Sequence, residues 1–202
     1  MARKARKDLV TGFHANPGGK LVEYQAKDPS KVLIQKGVTL GKGVVFLGSC
    51  NILAGVHIGD NCNFSDKTAI QPNARIGNLV TVMSGTLIGR NSSIETGTEI
   101  GQNVVIDTDA HIGRNVRIGD RCTISQHTHI ANGVDTGQHV TIGVGAEVGE
   151  RARLKDWVKI GDNAIVGRMC VMWHASSLQE YTKLPATNGV KAGDTYRGDR
   201  SQ

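Results

Sequence analysis

The sequence contains little of what crosses membranes or stacks on nucleic-acid bases. Aromatic residues make up 4% of its 202 residues, and there are only four prolines and four cysteines. No apolar run is long enough to span a bilayer. The basic start of the chain, residues 1–7, is not followed by the hydrophobic stretch that a signal peptide has. These absences predict a cytoplasmic protein without a membrane partner.

The small number of cysteines argues against a disulfide framework. All four fall at the same small position of the repeat described below, and no two are 18 residues apart: Cys50, Cys62, Cys122 and Cys170. We therefore expect buried thiols that do not pair with one another and that form no metal site.

A period of six residues runs without interruption from Ile34 to Leu178. Every sixth residue is large and apolar, most often Ile, and the residue two places earlier is Val, Ala, Cys, Thr or Ser. Thr136 is the exception at the large position, and we expect its hydroxyl to bond a backbone carbonyl. A helix cannot keep this repeat on one face, because about 3.6 residues per turn distribute it around the surface.

Each six-residue unit predicts one short strand and one corner. Two inward positions at a spacing of two fit a strand, and the Gly, Asn and Asp that follow, as in Ile58–Asn61, tolerate the positive φ of a turn. Three units close a triangular coil, so residues 18 apart lie one above the other at about 4.8 Å. The sequence therefore predicts an all-β parallel β-helix of about eight coils over residues 32–178.

The two ends lack the repeat and are expected to cap the helix. Residues 1–31 are predicted to form a basic arm and an irregular cap, and residues 179–202 a C-terminal tail. The net charge of +6 is concentrated in the N-terminal segment. The arm is either a handle for nucleic acid or an acidic protein, or a solubilising end. The residues that would bind such a partner are Arg3, Lys4, Arg6 and Lys7.

The repeat resembles that of the hexapeptide-repeat family, and the resemblance covers about three quarters of the chain. It implies a left-handed parallel β-helix and a homotrimer. Members include bacterial acyltransferases that use acyl-coenzyme A or acyl-carrier protein, gamma-class carbonic anhydrases, and structural subunits of larger assemblies. The motif therefore predicts the scaffold and leaves the function to sites placed on it.

Outward residues 18 apart form three columns. One alternates in charge and predicts an exposed wall: Glu99, Arg117, Asp135 and Arg153. A second is apolar or small and is predicted to pack against neighbouring subunits: Ala69, Leu87, Val105, Thr123 and Thr141.

The third column is where we expect any chemistry, and it reads His57, Arg75, Ser93, His111, His129 and Glu147. If the protein is a transferase, His111, His129 and the nearby His127 are the candidate general bases. The resemblance then implies coenzyme A as a co-substrate, with its phosphates held by Arg151, Arg153, Lys155 and Lys159.

A metal site is not predicted. Zinc catalysis needs three ligands that converge on one point. In the gamma-class carbonic anhydrases two of the histidine ligands are two coils apart in sequence, and this chain has no two histidines at that spacing.

Three functions remain open, and the sequence does not decide whether the protein is an enzyme. The acyltransferases of the family usually close their site with a loop extruded between repeats, and this chain has no such insertion. We therefore predict a trimeric scaffold or binding module without a cofactor. An acyl-coenzyme A-dependent O- or N-acyltransferase is the alternative, and a carbonic-anhydrase-like protein is the third.

Overall fold

Most six-residue units fold as a two-residue strand followed by a corner. The computed structural model describes residues 9–198, and in it the units stack into a parallel β-solenoid of about ten turns. One 3-10 turn, Pro29–Lys31, separates β2 from β3. No helix within residues 9–198 has the length and apolarity needed to cross a membrane.

The strands, in chain order, are β1 (Val10–Ala15), β2 (Leu21–Ala26), β3 (Val32–Ile34), β4 (Thr39–Leu40), β5 (Val45–Phe46), β6 (Cys50–Ile52), β7 (His57–Ile58), β8 (Asn63–Phe64), β9 (Thr68–Ile70), β10 (Arg75–Ile76), β11 (Thr81–Val82), β12 (Leu87–Ile88), β13 (Ser93–Ile94), β14 (Glu99–Ile100), β15 (Val105–Ile106), β16 (His111–Ile112), β17 (Arg117–Ile118), β18 (Thr123–Ile124), β19 (His129–Ile130), β20 (Asp135–Thr136), β21 (Thr141–Ile142), β22 (Glu147–Val148), β23 (Arg153–Leu154), β24 (Lys159–Ile160), β25 (Ile165–Val166), β26 (Val171–Met172), β27 (Ser177–Leu178), β28 (Lys183–Leu184), β29 (Gly189–Val190) and β30 (Thr195–Tyr196).

These strands form three sheets, one for each wall of the prism. The first has 11 strands in the order β1-β2-β5-β8-β11-β14-β17-β20-β23-β26-β29. The second has nine, from β4 and β7 through every third strand to β28, and the third has ten, from β3 and β6 to β30. Strands 18 residues apart pair in parallel, as in Arg75 with Ser93 and Ile76 with Ile94. The predicted parallel β-helix is thus confirmed.

The core contains the large inward residues, which are almost completely buried from Leu40 to Val190. The small inward position is also buried, and several of its polar members contact a carbonyl 15 residues later, while Thr68 and Ser92 donate to the carbonyl three residues earlier. Cys62 Sγ contacts the Gly77 carbonyl at 3.0 Å, and Thr86 Oγ1 donates to the Gly101 carbonyl at 2.9 Å. Polar side chains are tolerated there because a nearby backbone carbonyl satisfies most of them, with Ser176 as an exception.

Most corners place one residue in the left-handed region, three positions after the large inward residue. Asn is common there, as at Asn61 (φ 56°), but bulky residues adopt the same conformation, including Leu79 (φ 58°) and Trp157 (φ 64°). A non-glycine residue in this region costs about 1–2 kcal/mol. The stacked coils on either side impose the corner whatever its side chain is.

The solenoid is longer than the sequence analysis expected. The predicted coils end at Leu178, whereas β28, β29 and β30 continue the same three sheets up to Tyr196. Leu184 and Val190 occupy the large inward position and are 1% and 4% exposed. The period of six therefore continues past Leu178, although the loop-like composition of this segment conceals it.

The N-terminal segment contains an ordered hairpin where an irregular cap was expected. Strands β1 and β2 pair antiparallel, and β2 joins the first sheet beside β5. The ring of Tyr24 packs edge-on against Phe46, with centroids 5.4 Å apart. Gly12 lies beneath the Tyr24 ring, and a Cβ at this position would overlap it.

Side chains from the hairpin pair with the open edge of the second sheet. The Asn16 side chain accepts the N–H of Leu40 and donates to its carbonyl, both at 2.9 Å. The His14 ring contacts the carbonyl of Val38 at 2.9 Å. These bonds take the place of a missing strand before β4.

Thr136 does not donate to a backbone carbonyl as the sequence analysis expected. Its hydroxyl accepts the N–H of Gly119 at 3.1 Å. In other coils the N–H of the residue that follows a large inward residue donates to the carbonyl of the large inward residue of the next coil, as from Gly113 N to Ile130 O. The Thr136 side chain therefore substitutes for its own carbonyl, and the Ile118–Thr136 pairing is missing from the ladder.

Candidate functional site

The predicted histidine column lies on the second sheet with its members in register. Strands β7, β10, β13, β16, β19 and β22 pair in turn, so their first residues stack one above the other. The rings of His111 and His129 are parallel, with centroids 4.8 Å apart and planes 7° apart. We call these residues the histidine column: His57, Arg75, Ser93, His111, His129 and Glu147.

His111 has a partner at each ring nitrogen. Ser93 Oγ lies 2.6 Å from Nδ1, and Glu95 Oε1 lies 3.4 Å from Nε2. The other carboxylate oxygen of Glu95 accepts from Arg114 Nε at 2.9 Å. A serine, a histidine, a carboxylate and an arginine thus form one connected chain on the surface of the second sheet.

The repeat itself explains this arrangement. Ser93 and Glu95 flank the inward Ile94, so both point outward from β13 and the residue after it. His111 follows Ser93 by one coil, and Arg114 occupies the corner after β16. The side chains of His111 and Glu95 are 37% and 34% exposed, so the site is accessible from outside.

Both ring nitrogens of His111 face oxygen atoms, and the hydrogen-bond roles depend on which nitrogen carries the proton. With the proton on Nε2, towards the Glu95 carboxylate, the lone pair on Nδ1 accepts from the Ser93 hydroxyl. In that tautomer the ring can withdraw a proton from a hydroxyl group.

A surface pocket adjoins Ser93 on the side away from His111. Its volume is about 260 Å³, and two guanidinium groups line it together with the serine and the carboxylate. Such a pocket favours a ligand that carries negative charge or develops it during reaction. Its polar lining residues are His57, Arg75, Ser93, Glu95, Thr96 and Arg114.

His127 is separate from this chain of contacts. It lies in a corner with φ 58°, and its Nδ1 is 4.0 Å from Asp109 Oδ2. The structure therefore places it against a carboxylate of the preceding coil and not against the His111–His129 pair.

The four basic residues proposed for coenzyme A do not converge within one chain. Arg151 lies in a corner with Nε 3.7 Å from Glu150 Oε1. Arg153 belongs to β23 of the first sheet, with Lys155 shortly after it, and Lys159 belongs to β24 of the third sheet. A single protomer places none of these three on the sheet that holds His111.

The apolar column lies on the third sheet, where Ala69, Leu87, Val105, Thr123 and Thr141 pair in sequence. Val105 is 38% exposed there.

The charged column lies on the first sheet, with Arg117 Nε 3.7 Å from Glu99 Oε2. The basic arm, Arg3, Lys4, Arg6 and Lys7, falls outside residues 9–198, so its role stays a prediction.

The cysteines are buried as free thiols. Burial raises the pKa of Cys50 to about 12 and that of Cys62 to about 11, and it also raises the pKa values of Cys122 and Cys170. Within residues 9–198, no three His, Cys, Asp or Glu side chains are grouped in a way that would hold a metal ion.

Glu95 and Arg114 were not among the residues predicted from the sequence. The predicted columns contained only the outward residue that precedes each large inward position. The residue that follows also points outward, so the alternation of a strand would have placed Glu95 beside Ser93. For Arg114 no such signal exists, because the period does not fix the direction of a corner side chain.

Comparison with known proteins agrees with the repeat and the fold. The family model "Bacterial transferase hexapeptide (six repeats)" matches residues 97–132, and "Hexapeptide repeat of succinyl-transferase" matches residues 80–108. The comparison with curated proteins gave no match.

Among solved structures, the UDP-N-acetylglucosamine acyltransferase from Campylobacter jejuni is similar, with 20% identity and a TM-score of 0.50 over 84% of this chain and 71% of that one. The UDP-N-acetylglucosamine O-acyltransferase from Moraxella catarrhalis has 19% identity and a TM-score of 0.40 over 77% and 69%. The repeats of residues 80–132 are similar to these hexapeptide models, and the fold is similar to that of the Campylobacter jejuni structure.

Proposed function

We propose that this protein is an acyltransferase that takes its acyl group from a thioester of coenzyme A, with His111 as the general base. The observation that carries the proposal is the connected chain Ser93–His111–Glu95–Arg114. A general base must be within hydrogen-bond reach of the proton it removes and is held in place by a third group. Glu95 supplies the third group beside Nε2, and Nδ1 is within hydrogen-bond distance of the Ser93 hydroxyl, whose place an acceptor hydroxyl would take.

His111 is a better candidate than the other two predicted bases. A carboxylate that accepts from the second ring nitrogen stabilises the imidazolium formed during proton transfer. Glu95 is placed to do this for His111, and Arg114 holds Glu95. His129 stacks on the His111 ring and limits its rotation.

A homotrimer would complete the donor site. The apolar column on the third sheet supplies a surface for association, as stacked apolar side chains on an outer wall do. Arg153, Lys155 and Lys159 would reach the histidine column only from a neighbouring subunit, since their own chain holds them on other sheets. There they would bind the phosphates of the coenzyme.

The test is acyl transfer by the full chain. Acetyl- and longer acyl-coenzyme A are offered with UDP-N-acetylglucosamine, the sugar nucleotide in the names of the similar structures, and with a panel of hydroxyl and amine acceptors. Free coenzyme A and acylated product are measured by mass spectrometry. We expect His111→Ala to lower transfer by about 10²–10⁴-fold.

His174→Ala is the matched control for this test. His174 Nδ1 lies 3.7 Å from Asp156 Oδ2 at another corner of the prism, so this variant also removes a histidine that faces a carboxylate. It should keep full activity. Equal transfer by wild type and His111→Ala would remove this histidine from the mechanism.

A non-catalytic scaffold is the second candidate, and one observation favours it. From β3 to β30 the strands follow one another without an extruded loop that would close a site against water. If wild-type protein transfers no acyl group with any donor and acceptor in the panel, the scaffold becomes the preferred function.

A further inference from the structure

We infer that strand β1 is an interface, at which the chain pairs antiparallel with β1 of a second copy of itself. The pairing joins the first sheets of two solenoids end to end. β1 is the outermost strand of that sheet and lies at its N-terminal end. The inference is independent of the proposed function, because it uses no residue of the histidine column.

The backbone of β1 has one edge bonded to β2 and one free edge. Gln25 of β2 donates its N–H to Val44 on the far side of β2, so Thr11, which is opposite Gln25 in the hairpin, also faces away from the hairpin. By strand alternation, Phe13 and Ala15 face the same way as Thr11. The backbone N–H and C=O groups of these three residues have no hydrogen-bond partner among residues 9–198.

The free edge is exposed and carries no protection against pairing. Thr11, Phe13 and Ala15 are all exposed, and Phe13 is 62% exposed. Natural proteins protect open edges with charges, prolines or very short strands. The six residues of β1 contain no Lys, Arg, Asp, Glu or Pro. A long unprotected edge with an exposed phenyl ring is typical of a surface that another strand covers.

The other ends of the three sheets are protected. Asn16 occupies the edge before β4, and the third sheet begins with the shorter β3. At the C-terminal end, β28, β29 and β30 have two residues each, with Lys183, Lys191 and Arg197 in or beside them. The unprotected edge therefore fits the N-terminal end of a second copy and not its C-terminal end.

The sequence of β1 is complementary to itself in the antiparallel direction. A two-fold axis at Phe13 places this residue opposite its own counterpart, and Thr11 opposite Ala15 of the second copy. In that register the free N–H and C=O groups of all three residues bond across the interface in both copies. The two phenyl rings become direct neighbours on the outer face, which is a favourable cross-strand pair.

The antiparallel direction also keeps like charges apart. The basic residues 1–7 lie shortly before β1 in the sequence. In the antiparallel pair the two strands begin at opposite ends, with the Val10 residues of the two copies about 20 Å apart. This distance is about twice the Debye length at physiological salt, whereas parallel pairing would bring the two basic segments side by side.

The experiment is sedimentation equilibrium of the full chain over a dilution series from millimolar to micromolar. A single strand pair is a small contact, because a two-stranded ribbon is only marginally stable in water. We therefore expect the mass of the wild-type particle in dilute protein to double in concentrated protein. Phe13→Lys sets two positive charges opposite each other, so the doubling should disappear.

Leu21→Lys is the matched control. Leu21 is 66% exposed, so this variant also replaces an exposed apolar side chain by the same charge. It lies on β2, which is paired on both sides by β1 and β5, so it offers no free edge. We expect Leu21→Lys to double in mass as wild type does.

A charge exchange tests the register and the folding of the variants together. Phe13→Glu alone should stay unpaired, like Phe13→Lys, but an equal mixture of the two should double in mass, because opposite charges then face each other. The inference is overturned if the mass of wild type does not change with concentration, or if Phe13→Lys alone still doubles. It is also overturned if Leu21→Lys loses the doubling, or if the mixture of the two Phe13 variants stays unpaired.

Discussion

The small inward position of each repeat admits only compact side chains, and several of its polar members bond the backbone of the next coil. Thr98 and Thr128 donate to the carbonyls of Gly113 and Gly143, and Cys122 contacts that of Gly137. Cysteine and threonine are therefore interchangeable there as compact donors. For cysteine, the same burial suppresses the thiolate, which is the reactive form.

This burial predicts that the four thiols are inert in the folded protein. Iodoacetamide at pH 8 should leave the native chain unlabelled and should alkylate all four cysteines after denaturation, as counted by mass spectrometry. Cys62→Ser keeps a compact donor at its position, so it should fold normally and lose one site of alkylation. Rapid labelling of the native chain would show that the coils open at these positions.

The same groups give stability a dependence on pH. The pKa values of Cys50 and Cys62 are raised in the folded state to about 12 and about 11 from an ordinary value of 9.0. The folded chain therefore holds these protons more tightly than the unfolded chain does. The resulting stabilisation is complete below pH 9 and is lost as the pH rises towards 12. The free energy of unfolding in urea should fall over that interval.

Single residues also show where the sequence is informative. The positions of Ser93 and His111 follow from the count of 18, because a solenoid converts sequence spacing into vertical distance. Glu95 follows from strand alternation once the register is known. The contact of Glu95 with Arg114, at 2.9 Å, depends on side-chain rotamers in a corner, and no spacing rule determines those.

At the scale of elements, the coils could be predicted and the N-terminal hairpin could not. Each coil repeats one pattern many times, so a departure such as Thr136 leaves the register intact. The hairpin of β1 and β2 occurs once and has no repeat to identify it. Its function is visible only in contacts such as those of Asn16 with Leu40.

The cap predicts a local effect of Asn16→Ala. Leu40 would lose both side-chain partners of its backbone groups, and an unsatisfied buried group costs about 1–3 kcal/mol. Amide hydrogen exchange measured by NMR should speed up at Leu40 and in the first coil. The amide of Thr123, which donates to Val140 in the middle of the solenoid, should exchange as slowly as in wild type. Unchanged protection of Leu40 would mean that Asn16 contributes nothing to the cap.

At the scale of the whole molecule, the three walls of the prism differ in chemistry. The first sheet has the charged column, the second the histidine column and the third the apolar column. Threefold association through the third sheet would cover the apolar side chains and set the second sheet of one subunit beside a wall of the next. The proposed active site and the proposed interface therefore lie on different sheets of one chain, and the trimer would bring the donor-binding residues of a neighbour to the site.

Val105→Glu tests the interface. Val105 is 38% exposed in the single chain, so a glutamate there leaves the fold of the protomer intact. In a trimer it would place a charge among Leu87, Thr123 and their counterparts, where it has no partner. We expect sedimentation to show a trimer for wild type and a monomer for Val105→Glu. Val171→Glu, which would stand beside Arg153 on the first sheet, should stay trimeric. If Val105→Glu is still a trimer, the interface lies on another wall. If a monomeric variant keeps its transfer activity, one chain holds the complete site.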